Sequence, residues 1–383
     1  MTTLTPATPP PAQDLQGAPV PRTWVRTVED LPGRGTIPPQ RRPRPTATFQ
    51  DRVVSLGSMA AALALAWAVC FRLLPWGTPL GYTIVAFVLF LAIVTVATAL
   101  LTPGPAVADR LASAVVAGGA AVVGVALVST VVFTFVRAGP AVGHLTILTQ
   151  DMSGVGPRDP LGTGGVLHAI VGTLVQIGIA VVVTVPLAIG TAVFMTEVGG
   201  SFARVVRTVV EAMTALPSIV AGLFIYTVLL LSLGFHRSGF AASMALSVMM
   251  LPIIARAADV VLRVVPSGLR EASLALGASR WRTVWHVVLP TARPGLATAL
   301  ILGVARGIGE TSPVLLTSGA STFFEANPFA GAMNSLPLFV FDSVRSGEPL
   351  LIQRGFAAAA VLLVLVLGLF VAARWLARAR SGR

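Results

Sequence analysis

Glu271-Ala272-Ser273-Leu274-Ala275-Leu276-Gly277 continues through Ala278-Ser279-Arg280-Trp281-Arg282 to Leu289-Pro290, a polar island between two apolar spans. It reads as two short helices joined at Gly277, the first capped by Pro266-Ser267, with Glu271 near its positive end. Leu274, Leu276, Trp281, Val284 and Val287 give the island an apolar face, and Arg270, Glu271, Arg280 and Arg282 a charged one. Such a loop is either a docking element for a soluble partner or an interfacial helix lying on lipid headgroups. Amphipathic pattern alone leaves both open.

Composition sets the class around this island. Of 383 residues, 55% are hydrophobic and only 11% charged, and the mean hydropathy is +0.85. A soluble core of that length carries more charge, so the chain reads as an all-α polytopic membrane protein. The formal charge is +12, and all 27 basic residues are arginine. Without lysine there is no lysine-bearing P-loop, Schiff-base lysine or Ser–Lys dyad. An ATP-driven function therefore needs its ATPase on another chain. The arginines cluster at span ends, which points to membrane topology rather than nucleic acid. Cys70 stands alone in an apolar run, and His144, His168, His236 and His286 lack metal-ligand spacing, so neither a disulfide nor a metal centre is expected.

Residues 1–51 hold no apolar run. Thr8-Pro9-Pro10-Pro11 and Arg41-Arg42-Pro43-Arg44-Pro45 mark them as a disordered basic cytoplasmic tail touching anionic lipid, and not as a signal peptide. About eight transmembrane helices are expected beyond it. An extra N-terminal hairpin fills 52–102, with spans Val53–Phe71 and Leu80–Leu101 joined across Pro75, Gly77 and Pro79. The stretch 110–165 holds the first core helix, about Leu111–Val136, and a polar extracytoplasmic loop from Arg137 to Gly165. Within 166–376 the expected spans are about Val166–Phe194, Leu216–Leu233, Phe240–Ala258, Gly295–Leu316 and Ile352–Leu376, with the island loop at 266–290. The first of these is too long for one straight crossing, so either Pro186 kinks it or its first turns lie in the interface. Residues 377–383 form a basic end.

Arginine crowds the tail, Arg110, Arg204, Arg207, the island's Arg263, Arg270, Arg280, Arg282 and Arg293, and the C-terminal Arg374, Arg378, Arg380 and Arg383. The opposite loops carry Arg72, Arg137, Arg158, Arg237, Arg345 and Arg354. The positive-inside rule then puts both termini and the island in the cytoplasm.

Intramembrane charge is the best clue to cargo. Arg306 and Glu310 are expected four residues apart on one face of the seventh span, and Arg256 near the cytoplasmic end of the sixth. Each ionisable group near the bilayer centre costs on the order of 3 kcal/mol, so such groups usually face a pathway or a partner. Arg306 and Glu310 either pair to hold the bundle together or line a path for an anion, with the guanidinium supplying forked donors. Arg256 has the further option of snorkelling to the headgroups.

Glu271, Ala272, Gly277, Leu289 and Pro290, with Val287 in the usual aliphatic place, resemble the EAA loop of ABC-importer permeases; Ser273 replaces the usual second alanine. The segment Arg306-Gly307-Ile308-Gly309-Glu310-Thr311-Ser312-Pro313, followed by Leu315-Leu316-Thr317, resembles the "R-x-x-GET-x-P" segment of phosphate-specific ABC permeases, in particular their A-type (PstA-like) subunits. Leu216-Pro217-Ser218-Ile219-Val220-Ala221-Gly222 and Gly164-Gly165-Val166-Leu167-His168-Ala169-Ile170-Val171-Gly172-Thr173 are similar to that family as well. The resemblance covers about Gly162 to the C-terminus and implies that the last six spans form a type I ABC importer permease fold. The first hairpin and the long tail depart from the family's usual six-span form.

The resemblance also implies the function. The island is the coupling helix that sits in a cleft of the ATPase, and Arg306, Glu310, Arg256 and Thr311 belong to the substrate path. The expected chain is a bacterial plasma-membrane permease subunit importing inorganic phosphate by alternating access. It binds no cofactor itself, with ATP and magnesium on two partner ATP-binding cassette subunits. A second, C-type permease and an extracytoplasmic phosphate-binding protein complete the set, and no nucleic acid is expected. The rivals are a permease for phosphonate, molybdate or sulfate, a lone channel, and an intramembrane enzyme. No span carries a Ser/His, paired-aspartate or His-rich constellation for the last.

Three further patches have alternative readings. Gly162-Thr163-Gly164-Gly165 is either an anion nest or, as preferred here, a flexible loop entering a span. Gly118, Gly119, Gly124, Gly295, Gly303, Gly307 and Gly309 are read as small-residue faces for close helix packing. Asp151 and Asp159 are read as solvated loop charges, with contact to a binding protein as the alternative.

Overall fold

The computed structural model describes residues 49–73, 78–101 and 104–379. The expected tail lies almost wholly outside them, as do Pro75, Gly77 and Arg380–Arg383. The described residues are helical, with no strand. Long apolar segments in hydrocarbon satisfy their backbone groups internally, and a helix does this within one segment. Seven helices among them are long and apolar enough to cross a membrane, or eight if one bent pair counts as a span.

The chain divides into two compact units, one ending at Ala121 and the other beginning at Val122. In the first, α1 (Phe49–Ala68), extended by wide π turns over Val69–Leu73, packs along α2 (Pro79–Leu101). Tyr82 ties them by donating its hydroxyl to the Leu63 carbonyl at 3.2 Å. The helix α3 (Pro105–Val142) begins in this unit, where Gly118 lies against the Phe87 ring of α2.

In the second unit, α4 (Thr146–Thr149) precedes α5 (Leu167–Val193), which runs unbroken through Pro186 and on through π turns to Val198. The most extensive helix contact is between α5 and α8 (Gly239–Val264). The span containing α11 (Leu289–Ile308) also packs against α8. Missing side chains allow that approach: a Cβ at Gly295, Gly303 or Gly307 would overlap Val261, Ile254 or Met250. Close packing is therefore their role, as expected, because helices in lipid associate through contact rather than through expulsion of water. Gly119, Gly124 and Gly309 make no such approach.

Four expectations need correction. The fifth span is a bent pair: α6 (Gly200–Thr214) meets α7 (Ser218–Ile225, extended to Ser232) at 106°. Pro217 lacks an N–H and disfavours helix at Leu216, so the chain turns there. The seventh span starts at Arg280 rather than Gly295 and ends at Ile308, and α12 (Ser312–Thr317) is a separate short helix. Gly309 ends the first and Pro313 opens the second. The helix α13 (Leu336–Arg345) was not foreseen, because ten residues are too few for a span signal; Ser335 caps it by accepting from Leu338 N. The last helix is α14 (Pro349–Ala379).

The fourth correction concerns the island. Its first helix is α9 (Ser267–Ala275), preceded by Pro266 without a side-chain cap, with Glu271 beyond its first turn. Gly277 turns the chain with φ +83°. The second helix, α10 (Arg280–Thr283), capped by Ser279, continues through π turns into α11 and is the start of the seventh span.

The opposite end of α5 is tied by polar contacts inside the bundle. Gln176 donates to Ser318 Oγ and to the Met333 carbonyl, both at 3.0 Å, and Thr173 Oγ1 accepts from Leu336 N at 2.8 Å. Gly172 lies directly beneath Asn334, whose carbonyl a Cβ would strike. Gly172→Ala is expected to destabilise the folded chain by about 1–3 kcal/mol through overpacking. Gly178→Ala, with open space around it, is expected to be neutral. Thermal unfolding of both variants in detergent tests the contrast.

Candidate functional site

The island is anchored from within. Arg270 on α9 donates from Nε to Glu197 Oε1 at 3.1 Å and forms an ion pair with the same oxygen, Nη2 lying 2.9 Å from it. It also donates from Nη1 to the Val265 carbonyl at 2.7 Å and from Nη2 to the Leu262 carbonyl at 2.9 Å. Ser273 and Thr283 share a hydrogen bond of 2.9 Å across the turn. Arg270 thus faces inward, not onto the charged outer face. The sequence reading missed Glu197, which lies 73 residues away and has no local signal.

The apolar residues of the island also separate. Val284 and Val288 are buried against Ala192, Ala258 and Leu262, whereas Leu274, Leu276 and Trp281 remain exposed, Leu276 at 90%. Trp281 and Trp285 stack edge to face at 5.7 Å beside them. Exposed Glu271 and Ala272 share this surface. The outer face combines a carboxylate with large apolar side chains, a surface suited to a protein cleft.

Arg306 and Glu310 pair as expected, Nε to Oε1 at 3.3 Å, but Glu310 lies in the break after α11 and not on the helix. The Glu310 side chain is 12% exposed and that of Arg306 is 62%. Thr311 follows Glu310 and precedes α12. Arg256 does not join them. It pairs with Glu211 of α6, and one turn along α8 Asp259 bridges Arg207 at 3.5 Å and Arg263 at 3.1 Å. Neither Glu211 nor Asp259 was anticipated, since α6 was not expected to lie along α8.

At the other end of this unit, Arg354 of α14 is fully buried and donates to the carbonyls of Gly156, Asp159, Pro160 and Thr163. It was read only as a loop arginine. The segment it holds has no nest of free N–H groups. Gly164 N donates to Gln150 Oε1, Gly165 N to the Asp151 carbonyl and Val166 N to the Ile147 carbonyl. Gly165 has no room for a side chain, since a Cβ would crowd three carbonyls of 146–150. The expected flexible loop is a closely bonded turn.

Asp151 is not a merely solvated charge. It accepts from Ser153 N at 3.1 Å, Ser153 Oγ at 2.8 Å and Phe324 N at 2.9 Å, joining the loop after α4 to the segment after α12. Burial by itself would raise its pKa, but these hydrogen bonds outweigh it and hold the carboxyl below its ordinary value. Asp159 accepts from Gly156 N at 2.8 Å. Arg158 and Glu348 form an exposed bidentate pair that lowers the Glu348 pKa. Among the described residues no group of three or more His, Cys, Asp or Glu side chains is placed to hold a metal ion.

Residues 184–381 match the family model described as "Binding-protein-dependent transport system inner membrane component". The chain belongs to this family. It is 42% identical over 226 residues to "Phosphate transport system permease protein PstA 1" of Mycobacterium tuberculosis (strain CDC 1551 / Oshkosh), covering 59% of this chain and 74% of that one. "Phosphate transport system permease protein PstA" of Mycobacterium leprae is 42% identical over 222 residues, 58% of this chain and 72% of its own. The protein of that name in Xylella fastidiosa (strain 9a5c) is 33% identical over 240 residues, 60% of this chain and 83% of its own. A solved chain of the inward-facing MetNI methionine ABC transporter aligns with 56% of this chain and 94% of its own, at 24% identity and a TM-score of 0.45. The protein is a multi-pass membrane permease, and both the island and the Arg306–Glu310 pair lie within the matched residues.

The Asp151 contact carries a pH dependence. Its folded pKa is depressed, so its contribution is complete above the ordinary carboxylate range and is lost as pH falls through the lowered value. Hydrogen exchange at the Phe324 amide, corrected for the intrinsic effect of pH, is expected to quicken as pH drops through that window. In Asp151→Asn the pH step is expected to disappear.

Proposed function

We propose that this permease is the membrane subunit of an ATP-driven importer of inorganic phosphate. The observation that carries the substrate is the similarity, up to 42% identity, to phosphate transport system permease proteins, together with the Arg306–Glu310 pair. In that pair Arg306 Nε lies 3.3 Å from Glu310 Oε1 and the Arg306 side chain is 62% exposed, which leaves guanidinium donors open to an oxyanion. Their exposure in the single chain suits a path completed by a second, C-type permease. Thr311 adds a hydroxyl beside Glu310. Arg256 contributes only by exchanging Glu211 for the passing anion.

The exposed face of Glu271, Leu274, Leu276 and Trp281 supports docking of the island in an ATPase cleft. Two ATP-binding cassette subunits would bring ATP and magnesium, and an extracytoplasmic phosphate-binding protein would deliver the anion. The proposed permease domain is 166–376, in a bacterial plasma membrane, and the arginine distribution supports an orientation with both termini cytoplasmic. Nucleotide must bind the two states of the complex unequally to drive alternating access.

Phosphate uptake by a strain lacking this gene tests the assignment. The wild-type chain should restore uptake. Arg306→Ala should reduce it about 10- to 100-fold through loss of charged hydrogen bonds, with assembly intact. Glu271→Arg should abolish it together with ATPase association. Failure of the wild type with phosphate, with restored uptake of sulfate, molybdate or phosphonate, would overturn the substrate.

A further inference from the structure

None of the residues of α9 is buried, so little apolar packing joins it to the spans. Its backbone connections are weak levers as well. Pro266 begins it outside the helix, and Gly277 follows it in open space with φ +83°. A helix flanked by two turns and held by little apolar packing would swivel under load. The contacts that prevent this are polar, and Arg270 makes most of them.

We infer that Arg270 is the positioning residue that transmits displacement of the island into the bundle. Through Glu197 it grips the end of α5, and through the Leu262 and Val265 carbonyls it grips the end of α8. Three acceptors on two helices define an orientation, and the rigid fork of a guanidinium meets them together, which a single ammonium cannot. The side chains are only 22% and 16% exposed, so the pair is partly shielded from salt and water. The helices it grips are the most extensively packed pair in this unit. One of them carries Arg256, and its small-residue contacts with α11 lead on toward Arg306. The other is tied at its far end to residues 318–336 through Gln176 and Thr173. A push on the island therefore moves both helices and the path between them. This inference rests on the ATPase-docking function proposed above.

Spin labels at Ala275→Cys on α9 and Val182→Cys on α5, in a Cys70→Ser background, measure whether α9 and α5 move together in the assembled complex. With Arg270 and Glu197 intact, the distance between labels should be the same without nucleotide and with ATP bound. In Arg270→Ala and Glu197→Gln it should shift or broaden on adding ATP, and phosphate imported per ATP hydrolysed should fall about tenfold. Arg270→Lys should lie between. If Arg270→Ala fails to assemble, Glu197→Gln, which keeps the carbonyl contacts, carries the test. A distance that changes with ATP in the background, or stays fixed in the variants, would overturn the inference. So would uptake and hydrolysis falling in parallel, which is loss of docking. A background complex that hydrolyses ATP without importing phosphate would overturn the substrate while leaving the distance measurement intact.

Discussion

Close approach of helix backbones is the constraint on which the larger unit depends, because lipid offers no hydrophobic reward for bringing apolar helices together. Contact and directed polar bonds must do so instead. The face of α8 that meets α11 fills the spaces left by Gly295, Gly303 and Gly307, and alanine is the commonest buried residue of α5 and α8. Larger residues at those positions would push the helices apart and with them the charged side chains at their ends. The same economy recurs where Gly222 of α7 meets Pro313 of α12 and where Gly172 meets Asn334. Small residues thus hold three separate contacts, each joining elements distant in sequence.

Arginine secures both ends of this framework in different ways. Arg354 is buried without a carboxylate in hydrogen-bond contact and relies on carbonyl dipoles of the 156–163 turn, with the Asp159 charge nearby. Arg270 combines a carboxylate with two carbonyls at helix ends. Both use carbonyls at helix ends and turns, some of which also accept a backbone N–H, and both use the planar spread of donors that distinguishes arginine from lysine. The exposed pairs Arg158–Glu348 and Arg256–Glu211 hold less by comparison, since water competes for each partner.

The two charged regions assigned to the proposed path differ in how far they depend on the fold. Arg306 and Glu310 meet through local chain geometry, even across the break that ends α11. Arg256 meets Glu211 only because α6 turns by 106° and lies along α8. Likewise the apolar residues of the island were expected on one face, but α9 and the start of the seventh span are separate bodies. Val284 packs inward with the span, and Leu276 points out from the turn.

Sequence alone determined what periodicity, composition and short spacing can express. Hydropathy sufficed for the all-helical class and for most spans, because transfer into hydrocarbon depends on a run of residues rather than on their neighbours in space. The island at 266–290 and the Arg306–Glu310 spacing were legible for the same local reason. Tertiary structure decided what distant residues do to one another: Glu197 against Arg270, Glu211 against Arg256, and the turn of 156–163 around Arg354. A guanidinium's partner is set by where the chain returns, 45 to 198 residues away in these cases, and no local pattern encodes that distance.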